Sequence, residues 1–387
     1  MRRCGLPEAA VTSMVIALQA AKHFIKTAYG RSKRFYGNNQ YPPTQGCGQG
    51  NGAGPFIWLA ISAVLLTIMK NMGWGLQFQT AMSLTVLSIL GFAFIDDTDL
   101  VHSANNPITP AEDLILEGQR MVSMWEGLLS ATGGDLCADK CYWYMLDFKY
   151  QANKWRYKLT KEMPGELYVQ GNYRIKRLDP WDAEENLGVH LTMDGNWKAQ
   201  IEALKEKAEI FGSRIKRGEI AIKDAWYTFS KAFMPSLDYC MPATSISLKD
   251  WERIIGPALG PALSRSGIVC TASRELVFTS GRLQGLDQYH PYFKQHILQL
   301  GIAVAETRSK SPMGKSISAL AEETGRQAGV FGTLADIPRA VLVWVVAESW
   351  LRSLLLFADH YGVRLEDDLP QIKPKRQEDK ALMTEFI

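Results

Sequence analysis

Between Leu84 and Val101 the chain reads LTVLSILGFAFI, then Asp96-Asp97-Thr98-Asp99, then Leu100-Val101, and no other stretch limits the fold as tightly. Its density of β-branched and aromatic side chains argues against helix, and three carboxylates in four residues need solvent or a cation. The pattern predicts a strand, a tight acidic turn at 96–99 and a returning strand. Extended backbone sends adjacent side chains to opposite faces, so Asp96 and Asp97 can serve one ion only where the chain bends. Taken alone, an acidic pair in a turn is ordinarily a solvated turn.

The flanking sequence is mostly helical. Val11, Val15, Leu18, Ala21 and Ile25 have the spacing of one helix face over Leu6–Ala28. Residues 36–55 hold six glycines and three prolines and end in QGCGQGNGAGP, a loop whose backbone can approach another group closely. A buried helix over 56–72 follows, closed by Gly73 and Gly75. Its apolar run, Phe56 to Met69, is 14 residues long and stops at Lys70, short of the roughly 20 that cross a bilayer. No membrane span is expected. Thr109 and Glu112 read as a capping box around Pro110 at the first helical position, and Gly133-Gly134 as the stop. Leu114, Met121, Trp125 and Leu128 form that helix's apolar stripe, with a gap at Gly118. After Lys140 come short aromatic strands (YWYMLDF, KWRYKL, GELYV). From Trp197 the chain is mainly helical, with Ile201, Leu204, Ala208, Phe211 and Ile215 as one apolar edge. The class is α+β.

A chain of 387 residues, 47% hydrophobic and 21% charged, is globular, and a formal charge of +3 is too small to argue for nucleic acid by itself. The basic surplus is local: residues 1–50 carry seven Lys and Arg against Glu8 alone. The six cysteines lack the pairing of a disulfide framework, and Cys137 with Cys141 has no nearby histidine to complete a zinc site. A reducing compartment, cytoplasm or nucleus, is expected, and the N-terminus does not read as a secretion signal.

FAFIDDTDLV resembles the catalytic hairpin of reverse transcriptases, in which an aromatic, any residue and two aspartates follow an apolar strand. Phe94, Ile95, Asp96 and Asp97 fill those places. QGCGQGNGAGP, about 40 residues upstream, is similar to the family's preceding Gln-Gly loop with its helix-opening proline. The helix at 110–131 with Gly133-Gly134, Leu136 and Lys140 is similar to the next motif. Less sharply, Leu187-Gly188-Val189 with Asp194-Gly195 and a basic helix resembles the palm-to-thumb passage of the non-LTR, LINE-like retrotransposon branch. Pro235-Ser-Leu-Asp-Tyr239 and Leu248–Leu263 resemble its helical thumb.

The resemblance implies an RNA-directed DNA polymerase acting by two-metal nucleotidyl transfer, with Mg²⁺, or Mn²⁺ in its stead, held by Asp96 and Asp97. Phe94, Ile95, Gln49, Gly50, Asn51, Gly54 and Pro55 would line the deoxynucleoside triphosphate and template, and Lys140 would stand near the triphosphate. RNA template and DNA primer are the implied partners. The implied fold is a partial palm at 1–190, an antiparallel sheet with packed helices. A helical thumb-like region at 191–290 and a helical region of unknown role at 291–387 follow.

The chain also departs from the family. A further metal-binding aspartate should precede the Gln-Gly loop, yet residues 1–49 contain no aspartate and only Glu8, whose place at a helix start is explained by the helix dipole. Polymerase activity would then need a carboxylate from an upstream segment. The other reading is a non-catalytic retroelement remnant that at most binds nucleic acid. Lys140 on its own would be an ordinary solvated cation, and Trp143, Tyr144, Trp155 and Trp181, aromatics on short strands beside a helix, are expected in the core.

Overall fold

The computed structural model describes residues 7–20, 22, 24, 26–35, 54–104, 106, 108–309, 311–332, 334, 337–363, 373–374, 376, 378 and 380–382. The helices are α1 (Glu8–Ala20), α2 (Gly54–Asn71), α3 (Ala111–Ala131), α4 (Lys198–Lys216), α5 (Ala225–Thr228), α6 (Leu248–Arg265), α7 (Arg274–Phe278), α8 (Pro291–Ser309), α9 (Pro312–Ala328), α10 (Arg339–Trp344) and α11 (Trp350–Tyr361). The strands are β1 (Lys26–Thr27), β2 (Gly30–Arg31), β3 (Leu76–Gln79), β4 (Val86–Ile89), β5 (Gly91–Phe94), β6 (Asp97–Leu100), β7 (Tyr142–Tyr144), β8 (Phe148–Gln151), β9 (Lys154–Tyr157), β10 (Tyr168–Val169), β11 (Tyr173–Arg174), β12 (Lys176–Leu178), β13 (Glu184–Asn186) and β14 (Val189–Leu191). The class is α+β, and the sheets are two-stranded. Most pair neighbours in sequence as antiparallel hairpins, while β7 and β12 pair parallel.

Two compact units divide the chain: 1–78 with 88–178, and 79–87 with 179–387. The tip of the β3–β4 hairpin belongs to the second unit.

In the first unit α2 and α3 share a core of Leu65, Met69, Met121, Trp125 and Leu129. The α3 stripe runs through Leu129 rather than stopping at Leu128. The gap at Gly118 is filled by Leu167, whose methyls lie 3.8 Å from where a Cβ would stand. The start of α3 differs from expectation: Pro110 is the N-cap and no side chain caps the helix, so Thr109 and Glu112 form no capping box. Its end agrees, with Gly133 at φ +83° and the amide of Gly134 donating to Leu129 O at 3.1 Å. The first helix ends at Ala20, short of the expected Ala28.

Helix α2 is not the buried helix that its apolarity suggested. Ser62, Leu65 and Met69 are buried against the α3 side, whereas Phe56, Leu59 and Val64 are exposed. At 18 residues it is long and apolar enough to cross a membrane by length and composition alone.

The second unit holds the larger cores. Helix α4 buries Leu204, Ala208 and Ile215 against α6, whose Trp251, Ile254, Ile255, Ala258, Leu259, Ala262 and Leu263 are fully enclosed. The crossing is close because α4 offers Gly212 where α6 offers a bare carbonyl. Pro261 has no N–H, so the Pro257 oxygen lacks its helical donor and faces the Gly212 Cα instead. Trp251 donates its indole N–H to Gln295 Oε1 at 3.1 Å, and Gln295 also bonds Thr244 and both polar groups of Ile246. A second core gathers Ala303, Ala321, Leu342, Leu351, Leu354 and their neighbours from α8–α11.

Candidate active site

The acidic turn forms, two residues earlier than the sequence suggested. The apolar run splits after Ile89 into β4, which pairs with β3, and β5, which pairs with β6. Phe94 closes the second hairpin against Asp97, so the two loop residues are Ile95 and Asp96, and Asp97 begins the returning strand. Ile95 has φ +53°, whereas Asp96 is not in the left-handed region. That sign pattern belongs to a type II′ turn, whose first position is normally glycine. A β-branched residue there is strained by about 1–2 kcal/mol.

Register puts Phe92 beside Asp99 and Phe94 beside Asp97 on one face, all four exposed. Ala93, Thr98 and Leu100 face the other way, and Leu90 and Leu100 pack against the α2/α3 core. The hairpin base is pinned further. Val101 N–H donates to Leu90 O at 2.9 Å, and His102 sits between Gly75 O (Nδ1, 3.2 Å) and the Glu117 carboxylate (Nε2, 3.1 Å). At Gly91 the backbones approach so closely that a Cβ would lie 2.1 Å from Asp99 O. The base is therefore fixed while the tip projects into solvent. Among the described residues no hydrogen bond or ion pair engages the side chain of Asp96 or Asp97, and no three His, Cys, Asp or Glu side chains converge as a metal site.

The remaining expected site residues sit elsewhere. Gly54 and Pro55 start α2, and Gln49, Gly50 and Asn51 lie outside the described residues. Lys140 ends a single 3₁₀ turn, Ala138–Lys140, exposed and without an acidic partner among the described residues. Beside it Cys137 and Cys141 are free thiols. Burial, reinforced by Cys137 and Glu126, pushes the Cys141 thiol up, which disfavours the thiolate that zinc requires.

Phe92 was not singled out from sequence, although period-two alternation from Phe94 would have found it. The Gly91 approach had a signal too, a lone glycine inside a strand pattern. No family model and no curated protein matches the chain.

Proposed function

We propose that the β5–β6 hairpin is the metal-binding corner of a reverse transcriptase, an RNA-directed DNA polymerase of the LINE-like retrotransposon kind. The observation that carries this reading is the placement of Asp96 and Asp97, two adjacent exposed carboxylates at the bend of a hairpin whose base is pinned, where both can turn oxygens toward one cation.

Asp96 and Asp97 fit a hard divalent cation: both are exposed carboxylates at a bend, free to turn oxygens to one ion. They would hold Mg²⁺, or Mn²⁺ in its stead, which when bound polarises phosphoryl oxygens and neutralises charge on the departing pyrophosphate. The exposed rings of Phe94 and Phe92 flank them on the same sheet face and offer an apolar surface for a nucleotide. Two carboxylates are fewer than a two-ion site needs, and residues 1–49, where the resemblance would put a third, hold no aspartate. Because phosphoryl transfer depends on positioning, lacking that ligand costs on the order of 10³-fold or more in rate.

Primer extension on an RNA template with a DNA primer, by a polymerase that includes this chain, tests the proposal. Asp96→Asn and Asp97→Asn should each abolish synthesis and leave melting unchanged, since neither side chain has a partner to lose among the described residues. Unaltered extension by both variants would sink the assignment. The chain alone should show no templated synthesis above background. If the complete polymerase is equally inactive, the remnant reading stands instead.

A further inference from the structure

The β8–β9 hairpin inverts the usual arrangement of a half-buried sheet. Phe148 pairs with Tyr157 and Tyr150 with Trp155 across the strands, ring centroids 4.8 and 5.4 Å apart, so four rings share one face. That face is open: Trp155 is 69% exposed, Tyr150 58% and Phe148 49%. The opposite face carries Lys149 across from Arg156, and these charged residues are the better covered. Glu162 makes this arrangement stable. It accepts from Lys149 and from both terminal nitrogens of Arg156 at 2.9 Å, and those bonds, Arg156 first, hold its carboxyl down at about 2.

A contiguous exposed patch of large rings marks an interaction surface. Charge selects among occupants. From Asp147 to Glu162 five cations (Lys149, Lys154, Arg156, Lys158 and Lys161) stand against two acids, a surplus of three that equals the net charge of the whole chain. Lys158 is paired with Asp147, but Lys154 and Lys161 have no ion-pair partner among the described residues. By register Lys154 lies on the Lys149/Arg156 face, so its charge borders the ring face at the hairpin turn; rings that accept bases of any sequence and a cation at their edge that neutralises phosphate are the two elements of single-strand recognition. An apolar protein partner would need neither the surplus nor the stacked pairs.

We propose that this hairpin face is a stacking platform for single-stranded nucleic acid, with bases lying on the Tyr150–Trp155 and Phe148–Tyr157 pairs and Lys154, at the turn that borders them, meeting the phosphates. The choice of nucleic acid leans on the polymerase reading above; the open ring face does not.

The test uses the 387-residue chain and two fluorescein-labelled probes, oligo(dT) and a strand of equal length made of abasic sites. The wild type should prefer oligo(dT). Tyr150→Ala combined with Trp155→Ala should weaken oligo(dT) binding by on the order of 10-fold or more while leaving the abasic strand unchanged, and Trp155→Phe should keep most of the affinity. Because the rings are exposed, melting of the double variant should match the wild type. The binding assay contains neither divalent cation nor triphosphate, so it reads the platform separately from primer extension and the two readings can fail independently. Equal affinity of wild type and double variant for oligo(dT), or no preference for it over the abasic strand, would overturn the proposal. So would binding to phosphatidylserine vesicles that the double variant loses while its oligo(dT) affinity stays intact.

Discussion

Gly212 lies with its Cα against the carbonyl of Pro257, where an added methyl would stand 2.1 Å from the oxygen. The oxygen is backbone within a helix that carries Pro257 and Pro261, so the obstruction cannot rotate away. Gly212→Ala should therefore destabilise the second unit by about 1–3 kcal/mol or more through overpacking. Gly256→Ala is the contrast: it has nothing within 4 Å of its Cβ position and should gain about 0.5–1 kcal/mol from helix propensity. Denaturant midpoints of the two variants decide the matter, and equal shifts would contradict the account of the α4–α6 crossing.

The same geometry at Gly91 bears on the candidate site. Its Cβ position is 2.1 Å from Asp99 O and 3.1 Å from the Leu100 Cα, so Gly91→Ala must push β6, and with it Asp97, away from β5. Synthesis by the complete polymerase should fall as far as it does in Asp97→Asn, though both carboxylates remain. Mn²⁺ affinity should fall with it. Full activity in Gly91→Ala would show that the hairpin register does not matter to the chemistry.

His290 makes stability depend on pH. It is buried between Phe278 and Phe293, ring centroids 4.6 and 5.8 Å away, and its Nδ1 accepts the Tyr292 N–H at 3.2 Å. Burial, assisted by the charge of Arg274, lowers its pKa to about 4. A depressed folded value means that the unfolded chain binds the extra proton first. Stability is full above about 6.5 and is lost as pH falls toward 4, by about 3 kcal/mol over the whole window. His296, also lowered by burial, adds in the same direction. Urea midpoints at pH 7 and pH 5 should differ accordingly, and His290→Asn, which keeps an acceptor for Tyr292, should flatten much of the difference.

What could be read from the sequence was whatever a single periodicity decides. The 3.6-residue spacing of Leu204, Ala208 and Ile215 placed α4 and its buried edge, and Gly133-Gly134 ended α3. The acidic hairpin followed from β-branched residues and adjacent carboxylates, but its turn was misplaced because Ile95, a poor turn residue by propensity, holds the left-handed position. The strand read in KWRYKL pairs with Phe148–Gln151, a pairing the sequence did not give, and its aromatics, Trp155 included, were expected in the core but lie exposed. Aromatic-in is the ordinary outcome, and Glu162, outside the hairpin, reverses it by satisfying Lys149 and Arg156. The same limit applies to α2, where composition gave the helix but not how little of its surface the neighbours would cover.

Two-stranded sheets have no interior strand: among the described residues every strand has one side whose amides and carbonyls meet no ladder partner. Amide hydrogen exchange should register this directly. Along β5 and β6 the alternate amides that point away from the partner strand would exchange within the dead time, while those of α4, α6 and α8, enclosed in the large cores, would persist longest. An exchange map of this α+β chain would look almost wholly helical, with the carboxylate hairpin showing as a sparse alternation of slow and fast positions.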